Sequence, residues 1–145
     1  MANKKIFLRL VQPANEDADL QVVARFLPEI SSICSNKTRA GALHLLANSP
    51  ETLHSMKVEE LAFKLGVRPR ILIYHLERLK NWKLIDVKKS HKYGRGEKRS
   101  IWGLDLRYPN WILECYRTIR LHFFSERELG EITNRNKSFR TTNPR

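Results

Sequence analysis

Apolar residues recur at helical spacing through residues 61–85, LAFKLGVRPRILIYHLERLKNWKLI. The repeating positions form one set before a glycine and one after it: Leu61, Ala62 and Leu65, then Val67, Leu72, Leu76 and Leu79. Spacings of three, four and seven place such residues on one face of a helix. Gly66 stands where the chain must reverse, in a conformation that glycine adopts readily. The segment predicts two short helices joined by a tight turn, the second from Pro69 to about Trp82.

The residues before this motif predict two more helices with polar caps. Asn15 is expected to cap a helix whose first turn is acidic, which suits the positive end of the helix dipole. Pro28 should split or kink that helix, because proline cannot donate a backbone hydrogen bond. Asn36 is expected to cap the next helix, over residues 37–48.

The remaining residues predict two further helices and, between them, two strands. A helix capped by Ser55 is expected to run to the glycine turn, and a last helix is expected over residues 109–124. Between them, residues 84–89 and 100–106 are strand-like and flank the polar, glycine-containing stretch 91–99. Two strands around such a stretch predict a β-hairpin.

Together these elements predict a mainly α fold with a small β-hairpin (α+β), a winged helix-turn-helix with flanking N- and C-terminal helices. The predicted divisions are an N-terminal arm and helix, the winged domain, a dimerisation helix and a flexible basic tail: residues 1–35, 36–107, 108–133 and 134–145. Within the arm, Ile6–Val11 is β-prone and is expected to be a short strand or extended segment.

The charge balance narrows the class of partner. The chain has 27 lysine and arginine residues against 15 acidic residues, a formal net charge of +12. Such an excess indicates a polyanion, either nucleic acid or an anionic membrane surface. The N-terminal run MANKKIFLRLV is too short for a signal-peptide core, and no later segment approaches a membrane span. We expect a cytoplasmic protein without a membrane partner.

The cysteines and histidines give no pattern typical of a catalytic or metal site. Cys34 and Cys115 are far apart in apolar helical patterns, which favours buried thiols in a reducing compartment over a disulfide. A metal site formed by these two and His122 stays open as an alternative, although no ligand spacing indicates one. No phosphate loop, nucleophile elbow or carboxylate pair is present. We expect no cofactor, no metal and no enzymatic activity.

Several short motifs occur in an order that is found in one family of regulators. They are Asn36-Lys37-Thr38-Arg39, Ala42-Leu43-His44-Leu45-Leu46, Leu65-Gly66-Val67, His75-Leu76 with Leu79, Leu84-Ile85, and Ser100-Ile101-Trp102-Gly103-Leu104. In this order they resemble the winged helix-turn-helix regulators of the ArsR type, from bacteria and archaea. The resemblance covers residues 36–106 and implies a DNA-recognition helix followed by a basic wing.

The sequence also departs from that family. Arg68 replaces the usual small polar residue before the recognition helix, and Ile71 and Ile73 replace serine-like positions. Lys83 stands where the family commonly has glycine, so the recognition helix is expected to end differently. The Cys-x-Cys of metal-sensing members is absent, since Met56–Leu65 holds neither cysteine nor histidine. Metal sensing is therefore not expected.

Two groups of residues are the candidates for DNA contact. On the recognition helix they are Arg68, Arg70, Ile73, Tyr74 and Arg78, and in the wing they are Lys88, Lys89, Lys92, Tyr93, Arg95, Lys98 and Arg99. Arg70 lies near the helix start, from which recognition helices reach base edges, and arginine pairs well with guanine. The cationic wing suits phosphates and a narrow groove. Alternatively, Ile73 and Tyr74 pack against another protein, and the wing lysines are a solvated sheet edge.

The terminal helices are expected to join two copies of the chain. The candidate interface residues are Phe26, Ile30, Trp111, Cys115, Tyr116, Ile119 and Phe123. Such a stripe covers either its own domain or a second copy, and two-fold pairing suits palindromic operators. The resulting hypothesis is a dimeric, sequence-specific regulator that binds double-stranded DNA as a repressor, with no effector identified. The alternatives are a winged-helix adaptor that binds protein, and a non-specific nucleic-acid-binding protein.

Overall fold

The computed structural model describes residues 15–90 and 99–131. They form mainly α structure with a small three-stranded antiparallel sheet, in the arrangement of a winged helix-turn-helix with flanking helices. This confirms the predicted fold class. The predictions for Ile6–Val11, for the tip of the hairpin and for the basic tail lie outside the described residues.

The first predicted helix is divided at Pro28, as its sequence predicted. Helix α1 spans Glu16–Phe26 and helix α2 spans Ile30–Ser35, and a turn of 3₁₀ helix joins them at Leu27–Glu29. The Asn15 side chain accepts a hydrogen bond from the backbone N–H of Ala18 at 3.0 Å, which confirms the predicted cap. The local caps and breakers thus determine both ends of this segment.

Helix α3, Lys37–Ala47, is the central element of the core. Asn36 caps it, with its side-chain oxygen 3.0 Å from the backbone nitrogen of Arg39. Every residue from Ala40 to Ala47 is buried. A helix buried on all sides must be covered by several elements, and α2, α5 and the C-terminal helix each pack against α3.

The prediction that Ser55 caps a helix was wrong. Ser55–Lys57 is a short strand, β1, and helix α4 begins only at Val58 and ends at Leu65. Leu53 and His54 both adopt positive φ angles, 56° and 58°, which turn the chain before the strand. The Ser55 hydroxyl donates to the carbonyl oxygen of Thr52 at 2.6 Å. It therefore closes this turn and does not cap the helix.

The helix-turn-helix has the predicted geometry at its turn. Gly66 follows α4 with a φ of 68°, and the N–H of Val67 donates to the carbonyl of Ala62. This is the Schellman arrangement, in which the left-handed residue favours glycine. Helix α5 then spans Pro69–Asn81, one residue short of the predicted end.

The C-terminus of α5 uses the same arrangement, but with lysine in the left-handed position. Lys83 has a φ of 62°, and the N–H of Leu84 donates to the carbonyl of Leu79 at 3.0 Å. A side chain in this conformation costs about 1–2 kcal/mol, because its Cβ crowds the following carbonyl. The geometry explains why a glycine fits at this position.

We therefore expect Lys83→Gly to raise the free energy of unfolding by about 0.5–1 kcal/mol. Glycine removes the strain in the folded chain, and its greater flexibility in the unfolded chain offsets part of that gain. Lys80→Gly is the matched control, since Lys80 is exposed within α5. It should lower the stability by about 1 kcal/mol, the usual cost of glycine inside a helix. Urea unfolding followed by circular dichroism measures both. Destabilisation of equal size in the two variants would rule out strain at Lys83.

Strands β2, Ile85–Lys89, and β3, Ile101–Leu104, form the body of the wing. The sheet order is β1-β3-β2, with Trp102 paired to Met56 on one side and to Val87 on the other. A bulge follows Val87. Gly103 is tightly enclosed, because a Cβ there would lie 2.9 Å from the carbonyl oxygen of His54. Strand β3 therefore packs in close contact with the turn that precedes β1.

The C-terminal helix begins and ends close to the predicted residues 109 and 124, but it is not a regular α-helix throughout. Helix α6 spans Pro109–Thr118, passes into a π-helical turn at Ile119–Phe123, and stops, and residues 126–131 are helical again. Ser125 caps this last segment, since its hydroxyl accepts from the N–H of Glu128 while the Glu128 carboxylate accepts from the N–H of Ser125, each at 3.1 Å. This capping box begins a separate helical segment, so the predicted dimerisation helix of residues 108–133 is interrupted at Phe124 and Ser125.

A buried carboxylate joins the first helix, α1, to the start of α6. Asp19 on α1 is fully buried and accepts from the backbone N–H groups of Asn110 and Trp111, at 2.8 and 3.2 Å. Asp19 therefore caps α6 and not its own helix. Trp111 in turn donates from its indole nitrogen to the carbonyl of Trp82 at 2.6 Å. These bonds join α1 and α6 to each other and to the C-terminal end of α5. None of the helices described is long and apolar enough to cross a membrane.

Candidate nucleic-acid interface

Helix α5 has one face in the core and one in solvent. Leu72, Leu76 and Leu79 are completely buried. The predicted contact residues Arg68, Arg70, Tyr74 and Arg78 are exposed, and Tyr74 retains 56% of its accessible surface. Four of the five candidate side chains on this helix therefore lie on its solvent face.

Ile73 is less exposed than the other predicted contact residues of this helix. Ile73 is partly buried and packs against the core, whereas Ile71 is 49% exposed. A rotation of about 100° per residue places position 73 at the border of the buried face, where it covers the core edge. Ile71 therefore presents more apolar surface to solvent than Ile73, and the DNA contact predicted for Ile73 stays a prediction.

A cluster of cations and aromatic rings follows Tyr74 along the helix. The Arg78 guanidinium carbon lies 5.8 Å from the Tyr74 ring centroid and 5.2 Å from that of Trp82. Arg39, from α3, lies 5.2 Å from the same Trp82 ring. Each distance is within the range of cation–π attraction. Two arginines from different helices thus share one indole.

His75 fixes the orientation of Arg39. Arg39 Nε donates to His75 Nδ1 at 3.1 Å, and its terminal nitrogen donates to the carbonyl oxygen of Ser32 at 3.3 Å. Burial lowers the pKa of His75, and the charges of Arg39 and Arg78 lower it further. A neutral ring can accept from Arg39, whereas a protonated ring cannot. None of these contacts was predicted, because Arg39 and His75 are 36 residues apart and no spacing signal joins them.

The described part of the wing is cationic. Lys88, Lys89 and Arg99 are exposed, as predicted. Lys88 lies at the bulge and runs across Gly103, whose added Cβ would meet its Cε at 3.0 Å. The other predicted wing contacts, Lys92, Tyr93, Arg95 and Lys98, lie outside the described residues. Lys88 and Lys89 lie on strand β2, the first element after α5, and Arg99 lies just before β3.

The predicted dimer stripe is mostly an intramolecular core. Trp111, Cys115, Tyr116 and Ile119 are at most 4% exposed within the single chain, so the prediction that they form an interface was wrong. They cover α2 and α3, which would otherwise expose apolar surface. Phe26 and Ile30 are half-buried, and Phe26 packs 5.9 Å from the Trp111 ring. Of the predicted interface residues, only Phe123 is exposed, at 37%.

The two cysteines are buried and free, as predicted. The structure also brings them together, since the Cys34 thiol lies 3.5 Å from the carbonyl oxygen of Cys115. Burial raises the pKa of the Cys115 thiol, and the neighbouring Cys34 raises it further. His122 is exposed and does not join them. Within residues 15–90 and 99–131, no group of three or more potential ligands could hold a metal ion.

A buried histidine, His44, connects α3 to the C-terminal segment. The His44 and Tyr116 rings stack with centroids 6.0 Å apart, and Asn48 donates to the Tyr116 hydroxyl at 3.0 Å. Burial lowers the pKa of His44 to about 4, and the positive charge of Arg120 contributes. His44 is therefore a neutral core residue at neutral pH.

Comparison with known proteins gives little further information. The chain matches no protein-family model, and no curated protein matches it. Among solved structures it is similar to the YusO protein from Bacillus subtilis, with 20% sequence identity, coverage of 90% of this chain and 99% of that one, and a TM-score of 0.36. A similarity of this extent identifies neither a family nor a function.

Proposed function

We propose that the protein binds double-stranded DNA in a sequence-specific manner and acts as a transcriptional repressor in the cytoplasm. The observation that carries the proposal is the division of α5, with Leu72, Leu76 and Leu79 fully buried and Arg70, Tyr74 and Arg78 exposed. The second helix of a DNA-binding helix-turn-helix places its exposed face in the major groove. The net charge of +12 supplies the phosphate attraction that dominates affinity for DNA.

In this proposal the two groups of cations have different roles. Arg70 lies in the first turn of α5, from which it can pair with the O6 and N7 atoms of guanine. Lys88, Lys89 and Arg99 are exposed and contact the sugar-phosphate backbone beside the groove, because lysine and arginine side chains pair with phosphate oxygens. Base contacts then determine sequence preference, and the backbone contacts determine position.

Fluorescence anisotropy with labelled duplex DNA tests the proposal at several salt concentrations. We expect binding at low salt, with an affinity that falls steeply as salt rises, because each neutralised phosphate releases counterions. Absence of binding at low salt, or an affinity independent of salt, would contradict the proposal.

Arg70→Ala should weaken binding to the preferred sequence by about 1–3 kcal/mol and weaken binding to random duplex much less. Lys89→Ala is the matched control, since it removes one exposed wing charge. It should weaken both complexes to a similar extent. Titration of both variants against both duplexes measures the difference. Identical effects of the two substitutions on the two duplexes would show that Arg70 reads no base.

Pairing of two copies is part of the proposal, because two-fold DNA-binding proteins match two-fold operators. With most of the predicted stripe buried, the surface left for a second copy consists of exposed apolar residues of the terminal segments: Leu20, Leu27, Leu121 and Phe123. Sedimentation equilibrium is expected to give twice the chain mass, and a monomer mass would contradict pairing.

The alternative function is an adaptor that binds another protein through α5. The observation that favours it is the exposed apolar surface near the turn, where Ile71, Tyr74 and Phe63 retain 49%, 56% and 42% of their accessible area. Exposed apolar residues of this size often mark protein contacts. An adaptor would show no salt-dependent affinity for duplex DNA, so the anisotropy experiment separates the two functions.

A further inference from the structure

Two arginines, Arg39 of α3 and Arg78 of α5, are held in place beside α5 with no carboxylate partner among the described residues. The guanidinium carbons of Arg39 and Arg78 lie at the same distance, 5.2 Å, from the Trp82 ring centroid. Arg39 is anchored further by its bonds to His75 and to the Ser32 carbonyl. Among residues 15–90 and 99–131, no ion pair joins either arginine to an acidic side chain.

The cluster therefore carries unbalanced positive charge. Burial lowers the pKa of Arg39, and the charge of Arg78 lowers it further. By contrast, Arg107 is held by Asp105 at 2.8 Å, and that carboxylate raises its pKa. Arg120 pairs with Glu126 at 3.0 Å, and its pKa is raised first by a hydrogen bond with Tyr116 and further by Glu126. Like charges placed close together repel, and an anion between them relieves the repulsion.

The position of the cluster relative to the solvent face indicates which anion it suits. Arg70, Tyr74, Arg78 and Trp82 follow one another at steps of four residues, so each is rotated by about 40° from the last. This row of four side chains starts on the face of α5 that would meet the bases and ends on the side of α5 that lies beside α3. A helix lying in the major groove has phosphates along its flanks, and the planar guanidinium fork matches their oxygens.

We propose that Arg39 and Arg78, held on the Trp82 ring, form a clamp for one backbone phosphate of duplex DNA. The clamp rests on the proposed DNA-binding function and adds α3 to the binding surface. Its ligand is a phosphodiester anion, and it contributes to affinity and to the register of α5 without reading sequence.

Arg78→Gln tests the clamp with the least disturbance, because Arg78 is exposed and its only described contacts are with aromatic rings. The matched control is Arg25→Gln on α1, an exposed arginine that also lies 5.2 Å from an aromatic ring, that of Phe26. We expect Arg78→Gln to reduce the magnitude of the salt slope by about 1 and to weaken cognate and random duplexes alike. Arg25→Gln should leave the slope unchanged.

A scan of the duplex with neutral methylphosphonates locates the phosphate. At one position in each half-site, the substitution should weaken wild-type binding by about tenfold and weaken Arg78→Gln binding by less than twofold. Arg39→Gln should show the same coupling, with thermal unfolding measured alongside because Arg39 also anchors Ser32. Arg39→Lys, which keeps the charge, should retain the salt slope.

The outcomes separate the clamp from the function on which it rests. If wild-type protein binds duplex DNA but Arg78→Gln behaves as Arg25→Gln and no methylphosphonate position couples to it, the clamp is overturned and the function stands. If wild-type protein does not bind duplex DNA even at low salt, the clamp and the proposed function fall together.

Discussion

Replacing Asp19 with alanine should lower the free energy of unfolding by about 2–4 kcal/mol, because it removes the acceptor of two N–H groups at a buried helix start. Asp19 is fully buried and bonds to the backbone of Asn110 and Trp111, 91 and 92 residues further along the chain. The loss should therefore loosen α6 from α1. Asp19→Asn, which keeps one side-chain oxygen, should lose about half as much.

Urea unfolding measures this effect, and Asp17→Ala is the matched control. Asp17 lies in the same acidic first turn of α1 but is exposed. Its loss should cost less than about 1 kcal/mol, the usual contribution of a surface acid to the helix dipole. Similar stabilities for the Asp17 and Asp19 variants would mean that the bonds to α6 contribute nothing.

Acid should destabilise the protein through His44 before the carboxylates titrate. The pKa of His44 is about 4 in the folded protein, against 6.5 for the ordinary side chain. The unfolded chain therefore binds the proton first as the pH falls. Stability is fully present above pH 6.5 and is lost progressively between pH 6.5 and 4, by roughly 3 kcal/mol in total.

The matched variant for this prediction is His44→Gln, which cannot titrate. Its stability at neutral pH should be reduced, since the stack on Tyr116 is lost, but it should fall less than wild type between pH 6.5 and 5. The difference between the two pH profiles isolates His44, because all other groups are common to both proteins. Parallel profiles over this range would contradict a depressed His44 pKa.

The features that could be predicted from sequence are those with a local physical cause. Asn15 and Asn36 cap their helices through contacts three residues away, and Gly66 satisfies a backbone requirement of its own turn. The leucines of α5 repeat at helical spacing, and their burial follows from that periodicity alone. Strand β1 has no such signal, because its three residues are defined by pairing with β3 more than forty positions later.

The wrong predictions concern which partner covers an apolar surface. Periodicity shows that a helix face is buried, but it does not specify what that face packs against. The stripe of α6 was correctly predicted to be buried, but its partner is the core of the same chain and not a second copy. In the same way, Arg70 could be found from its place at a helix start, whereas the arrangement of Arg39 on Trp82 arises only when α3 packs on α5. A candidate site assembled from distant segments is visible only in the folded chain.

The most direct test of the proposed function is selection of bound sequences from a random duplex pool by wild-type protein. We expect enrichment of one motif with two-fold symmetry, and loss of preference at one position in each half-site for Arg70→Ala. A pool that remains random after repeated selection, or no retention of duplex at low salt, would contradict sequence-specific DNA binding by this chain.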